Sequence, residues 1–139
     1  GIFSFWIHSF LGKCPLEFIG FEGSGLQVRD ALHPKDLAPL LLRQMDQPNQ
    51  EAPKIVNLGG GRENSMSLKQ LSSWCEDLFG PNEVTPSNDE RPMDAPWIVM
   101  DSSLANEAWD WSPETKIQEI LEEIAKHAEE NPQWLKISS

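Results

Sequence analysis

Gln27-Val28-Arg29-Asp30-Ala31-Leu32-His33-Pro34-Lys35-Asp36-Leu37 carries a change of backbone periodicity within a few residues. Residues 26–29 read as a strand. Before it, Gly20, Gly23 and Gly25 supply a hairpin-like loop after a first strand at residues 16–21. Asp36 is expected to open a helix, its carboxylate accepting from the free amides of the first turn. Leu37, Leu40, Leu41 and Gln44 follow at helical spacing. Pro39 is expected inside that first turn, where a missing N–H costs nothing.

The same alternation continues on both sides. In residues 1–13, Phe3, Trp6, Ile7 and Phe10 stand at i, i+3, i+4 and i+7, the stripe of an amphipathic helix. His8 falls on the opposite face and is expected at the surface, as is His127. Residues 54–58 read as a strand ending in Gly59-Gly60-Gly61. Ser67-Leu68-Lys69-Gln70 matches a capping box, and its helix runs through Leu71, Trp74, Cys75 and Leu78 to Gly80-Pro81. Residues 86–96 form a polar loop, 97–100 a strand, and 101–109 a short helix capped by Asp101 or Ser102. A second capping box, Thr115-Lys116-Ile117-Gln118, leads into Ile117, Ile120, Leu121, Ile124 and Ala128. Strands alternating with about five helices predict an α/β class, or α+β for this stretch taken alone, with few and short strands.

The chain has 139 residues with 11 basic and 22 acidic side chains, a formal net charge of −11. The length suits one domain over residues 1–139, and a 39% hydrophobic content supports a packed core. So acidic a chain is a poor partner for nucleic acid, which needs clustered Lys and Arg. No apolar run reaches the roughly 18 residues that span a bilayer, so no membrane partner is expected. Glu119, Glu122, Glu123, Glu129 and Glu130 read as the solvated face of the last helix. Two cysteines, Cys14 and Cys75, build no disulfide framework and fit a reducing, cytoplasmic setting. The chain opens without Met, inside an apolar helical pattern, and reads as a piece of something longer.

Few residues announce chemistry. Gly59-Gly60-Gly61 between a strand and a helix invites a phosphate-loop reading, but Asn64 breaks G-x-G-x-x-G, and a structural turn fits better. His8, His33 and His127 share no ligand spacing, so no metal is expected. No Ser lies in a G-x-S-x-G elbow. Arginine is scarce: Arg29 ends a strand and Arg91 lies in the polar loop, positions from which a guanidinium can grip a phosphate with two parallel hydrogen bonds or simply pair with a surface carboxylate.

Several stretches, in order, resemble one family. Gln27 to Leu37 is similar to the "V-R-D-x-x-H-V-x-D-L" signature of the extended short-chain dehydrogenases/reductases, the NAD-dependent sugar-nucleotide epimerases and dehydratases. Val56-Asn57-Leu58-Gly59-Gly60-Gly61 followed by Asn64-Ser65-Met66-Ser67-Leu68 resembles "Y-N-I-G-G-G…N-S-V-S-L". Arg91-Pro92-Met93-Asp94 resembles "R-P-G-D", with Met93 in place of glycine. Met100-Asp101-Ser102-Ser103-Leu104-Ala105 resembles "x-D-x-S-K-A", with Leu104 in place of lysine, and Trp109-Asp110-Trp111-Ser112-Pro113 resembles "L-G-W-x-P". The Gly-Gly-Gly run and the Asn64-Ser65 pair most resemble the CDP-tyvelose (CDP-paratose) 2-epimerase branch.

The resemblance implies a C-terminal, substrate-binding portion whose N-terminal Rossmann half is absent. That half would carry the nucleotide loop and the Tyr-x-x-x-Lys pair. With no tyrosine in the chain, the pair has no place in these residues, so no catalytic residue is assigned. NAD is implied for the complete enzyme and none is expected for this piece. By the same resemblance Arg29 and Arg91 clamp the substrate diphosphate, Glu17 and Ile19 face the base, and Asp30, His33 and Asp36 hold backbone. The implied partners are a nucleotide sugar and the missing half, with self-association expected where that half would dock. A stand-alone binding module that kept the fold and lost the chemistry is the competing reading.

Overall fold

The computed structural model describes residues 1–46, 51–89 and 92–134. They group into two compact units, each assembled from separate stretches of chain. The first comprises Gly1–Val28, Met66–Trp97 and Leu121–Ser139, the second Arg29–Ser65 and Ile98–Ile120. In chain order the elements are α1 (Ile2–Leu11), β1 (Leu16–Phe18), β2 (Val28–Asp30), α2 (Pro34–Asp46), β3 (Ser65–Ser67), α3 (Leu68–Phe79), β4 (Val84–Pro86), β5 (Trp97–Ile98), α4 (Ser103–Trp109) and α5 (Ile117–Glu130). Single 3-10 turns stand at Phe21–Gly23 and Arg62–Asn64. Helices alternating with strands of two or three residues, in small sheets, make this an α/β chain. The sheets are β1-β4 and β3-β2-β5.

In the first unit α1 packs on α3. Trp6, Ile7 and Phe10 are buried as the apolar stripe requires, each contributing about 1.5–3 kcal/mol by leaving water. Trp6 stacks on Phe18 with centroids 5.6 Å apart, and its indole N–H donates to Ser72 Oγ at 2.8 Å. The Ser67/Gln70 capping box forms as the sequence predicts, and Leu71 and Cys75, one turn apart, bury the inner face of α3. Leu121, Ala125 and Ala128 bury the corresponding face of α5.

Two expectations fail in this unit. His8 is buried, not exposed: its Nδ1 lies 2.8 Å from the Ser4 carbonyl oxygen, and its ring is flanked by Trp134 at 4.5 Å and His127 at 5.8 Å. Nδ1 donates back to its own helix, whereas Nε2 is buried with no hydrogen-bond partner among the described residues, so covering this face leaves one polar atom unmet. The glycine-rich segment after β1 is not a hairpin. β1 pairs in parallel with β4, Leu16 opposite Val84 and Phe18 opposite Pro86, whereas β2 lies in the other sheet. The chain therefore leaves one sheet at Gly20 (φ 81°) and does not double back.

In the second unit Leu40, Ala105 and Trp111 form a buried cluster, with Leu32, Val56, Leu58 and Trp109 packed against it. The helix α2 begins at Pro34, two residues before the expected Asp36, so Pro39 lies inside the helix and not in its first turn. His33 Nδ1 accepts the Lys35 N–H at 3.0 Å and serves the helix start instead. Asp36 turns to tertiary contacts described below. Residues 54–58 form no strand. Among the described residues no helix is long and apolar enough to cross a membrane.

Candidate functional site

The Arg29 region of the second unit is built around carboxylates that hold backbone. On β2, Asp30 Oδ2 accepts from the Gly61 N–H at 3.1 Å and the Met100 N–H at 3.3 Å. Arg29, half-buried, precedes it on the strand, so the two side chains leave opposite faces. Asp36, also buried, accepts from Thr115 Oγ1 at 2.7 Å, the Thr115 N–H at 3.0 Å and the Glu114 N–H at 3.2 Å. Its carbonyl oxygen receives the Trp111 indole N–H at 2.8 Å. Asn64 donates to the Thr115 carbonyl at 2.8 Å and accepts the Ile117 N–H at 2.9 Å, capping α5 from outside that helix. The Thr115/Gln118 capping box expected there is therefore replaced: Thr115 is engaged by Asp36, and Glu119 Oε1 approaches the Lys116 N–H at 3.5 Å.

The Gly59-Gly60-Gly61 turn is a close-packed junction. A Cβ on Gly60 would overlap the Ala31 carbonyl, and one on Gly59 would meet Asp30 and Met100. The Gly59 N–H goes to Ser102 Oγ at 3.0 Å and the Gly61 N–H to Asp30. With these amides occupied by protein groups, the turn does not fit the pyrophosphate of a dinucleotide, which needs amides free to donate. Asp101 Oδ1 accepts the Ser103 N–H at 2.9 Å at the start of α4. That bond, with one to the Ser103 side chain, holds its carboxyl below the usual carboxylate range.

In the first unit Glu17 is exposed on β1 and Ile19 half-buried just beyond it. The Ile19 and Gly20 carbonyls are gripped by the buried Gln27 side chain, whose Nε2 lies 2.7 Å and 3.4 Å from them. An open cavity of about 390 Å³ follows, lined by Gly20, Phe21, Glu22, Asn88, Asp89, Met93 and Asp94. Neither Glu17 nor Ile19 is among its lining residues. Phe21, Glu22 and Met93 hold φ of 50°, 56° and 62°, a region costly for residues with a Cβ. Arg91, two residues before Met93, lies outside the described residues. Among the described residues no three His, Cys, Asp or Glu side chains converge to hold a metal.

Of the residues singled out from the sequence, the second unit contains Arg29, Asp30, His33 and Asp36, and the first Glu17 and Ile19. The tasks of the residues that organise these regions, Gln27, Asn64 and Ser102, give no local signal, because each acts through partners 7 to 53 positions away.

Fold and ordered motifs define a class, the NAD-dependent epimerases and dehydratases among the extended short-chain dehydrogenases/reductases, and the chain is similar to part of its members. CDP-paratose 2-epimerase of Salmonella typhi is 28% identical over 103 residues, 74% of this chain and 30% of that protein. UDP-glucose 4-epimerase of Corynebacterium glutamicum is 31% identical over 103 residues, 71% of this chain and 30% of that protein. The fold matches the Bacillus cereus UDP-glucuronic acid 4-epimerase, solved with UDP-glucuronic acid and NAD, with a TM-score of 0.74 at 20% identity over 90% of this chain and 38% of that one. No family model matches the chain. It spans about a third of the length of the curated relatives it matches.

Proposed function

We propose that the chain is the substrate-binding part of an NAD-dependent nucleotide-sugar epimerase, most like a CDP-sugar 2-epimerase and not catalytic by itself. The observation that carries this reading is the match to curated enzymes whose names are all nucleotide-sugar epimerases, at 28–31% identity, together with the ordered motifs. The substrate would be a nucleotide diphosphate sugar, with Arg29 and Arg91 on its diphosphate and Glu17 and Ile19 beside its base. Asp30 supports the part assigned to Arg29, since its two backbone bonds fix the strand from which Arg29 projects. A bidentate guanidinium suits a diphosphate where a lysine point charge would not orient it. A Glu17 carboxylate would accept from the exocyclic amine of cytosine. NAD would be held, and hydride transfer carried out, by the missing Rossmann half, and the assembled enzyme would be cytoplasmic.

Titrating the assembled enzyme with CDP- and UDP-sugars tests the assignment. Arg29→Ala should weaken binding of either by about 10- to 100-fold, the loss of one charge-assisted pair. Glu17→Gln should weaken CDP-sugars selectively. Unchanged affinity in Arg29→Ala would remove the proposed diphosphate site.

A further inference from the structure

Left-handed backbone is concentrated just after β1. Gly20, Phe21, Glu22, Gly23 and Gly25 all hold φ between 50° and 81°, and Phe21 and Glu22 carry a Cβ, for which that region is costly. The peptide that leads into this run is pinned at both ends. The Ile19 carbonyl accepts from Gln27 Nε2 at 2.7 Å, and the Gly20 N–H donates to the Asp89 carbonyl at 3.0 Å. The next carbonyl, that of Gly20, receives the Gly23 N–H at 3.1 Å and lies 3.4 Å from the same Gln27 nitrogen. Gln27 is itself tied to the start of α3, its own carbonyl accepting the Leu68 N–H at 3.3 Å. Gly23 and Gly25 sit too close to Pro86 and Phe18 for a Cβ, so the loop lies against the β1–β4 pair. One side chain thus fixes two successive peptides seven and eight positions away.

Only the donor end of that carboxamide is used. Gln27 is 5% exposed, and its Oε1 is buried with no hydrogen-bond partner among the described residues. An unmet buried acceptor is unfavourable, so this side chain is a poor choice for core stability alone. What its Nε2 secures is the course of Gly20, Phe21 and Glu22, which form one wall of the cavity of about 390 Å³. Strained backbone persists only where its surroundings hold it, and such points gather at ligand sites. We propose that Gln27 is a positioning residue, whose carboxamide keeps the Ile19–Gly20 peptide and the left-handed turn after it in the shape that receives the base of the nucleotide. The inference rests on the functional reading above, in which Ile19 stands beside that base. Gln27 acts through the two carbonyls and the turn they anchor, so its loss is felt as a change in the population of the receiving shape.

Nuclear magnetic resonance of the 139-residue chain tests this. A strong amide-to-Hα Overhauser effect within one residue marks a positive φ and should be seen at Phe21 and Glu22. Cytidine diphosphate should shift the Gly20 and Glu22 amides. Gln27→Met keeps the side-chain volume and removes the donor together with the unmet acceptor, so the urea midpoint should change little. The left-handed signature should nevertheless vanish at both residues. With the receiving shape reduced to about a tenth of the population, affinity for cytidine diphosphate should fall about tenfold. Gln27→Ala should show the same two losses, which keeps the test decisive where the methionine variant folds poorly. Retention of the signature in these variants, or its loss with affinity unchanged, would overturn the inference. A chain that binds neither cytidine nor uridine diphosphate, yet loses the signature in Gln27→Met, would instead refute the functional reading and leave the hold of Gln27 on the turn standing.

Discussion

Met93 occupies the place of a glycine in the motif its loop resembles, and the backbone still behaves as if glycine were there. Its φ is 62° and its side chain is fully exposed, so nothing in packing repays the left-handed conformation. Replacing it with glycine removes the Cβ strain of about 1–2 kcal/mol and adds unfolded-chain entropy of somewhat under 1 kcal/mol. Met93→Gly is therefore expected to stabilise the first unit by about 0.5–1 kcal/mol in urea unfolding followed by tryptophan fluorescence. Phe21 and Glu22 share the conformation in the same cavity wall, so three residues with side chains keep that rim in a shape that glycine would reach more cheaply. His8 shows the opposite lesson at this scale. A helical-wheel argument places it at the surface because imidazole is polar, but Ser4 satisfies one ring nitrogen and the aromatic flank of Trp134 can then close over it.

The helices were legible because their information is local. Four-residue spacing marked α1, α3 and α5, and the capping box at Ser67 and Gln70 formed as read. The strands were less so, since a strand is defined by a partner that no short window contains. β4, with Pro86 in it, carries no pattern of its own and exists because Leu16 and Phe18 lie opposite. Cap identity failed for the same reason at two helix starts: the donors that Asp36 satisfies belong to residues 78 and 79 positions away. That bridge ties α2 to the start of α5. Asp36→Ala strands two backbone N–H groups and the Thr115 hydroxyl in a buried setting, a loss of about 3 kcal/mol. Thermal unfolding should register it, with the amides of the second unit losing protection first in hydrogen exchange. Of the candidate site, Arg29 and Asp30 were singled out through their motif, and the structure shows Asp30 holding backbone. Gln27, Asn64 and Ser102 stand in those motifs too, but their tasks were not readable, because an amide or hydroxyl side chain advertises nothing about which distant carbonyl or N–H it will meet.

For the molecule as a whole, one buried thiol contributes to the dependence of stability on pH at the alkaline end. Burial pushes the Cys75 thiol up to about 12 from an ordinary 9.0, while Cys14 is exposed. A raised folded-state value means the contribution is complete below about 9 and is lost as pH climbs toward 12, because only the unfolded chain can release that proton. Urea midpoints measured from pH 8 to 11 should fall, and Cys75→Ala should flatten the fall from a lower starting point. Alkylation at pH 8 should label Cys14 and spare Cys75. The two units are also interleaved along the chain: the first is made of three separate stretches and the second of two. Neither can be produced as one continuous segment, and each waits on residues synthesised long after its first strand. The Asp36–Thr115 closure has to pay for a loop of nearly eighty residues, at an entropic cost that grows only with the logarithm of loop length, so the penalty falls mainly on speed. On the ribosome, the second unit would stay open until residue 120 has emerged, with the Leu40–Ala105–Trp111 core incomplete. A chain of this order therefore spends most of its synthesis with that core unclosed.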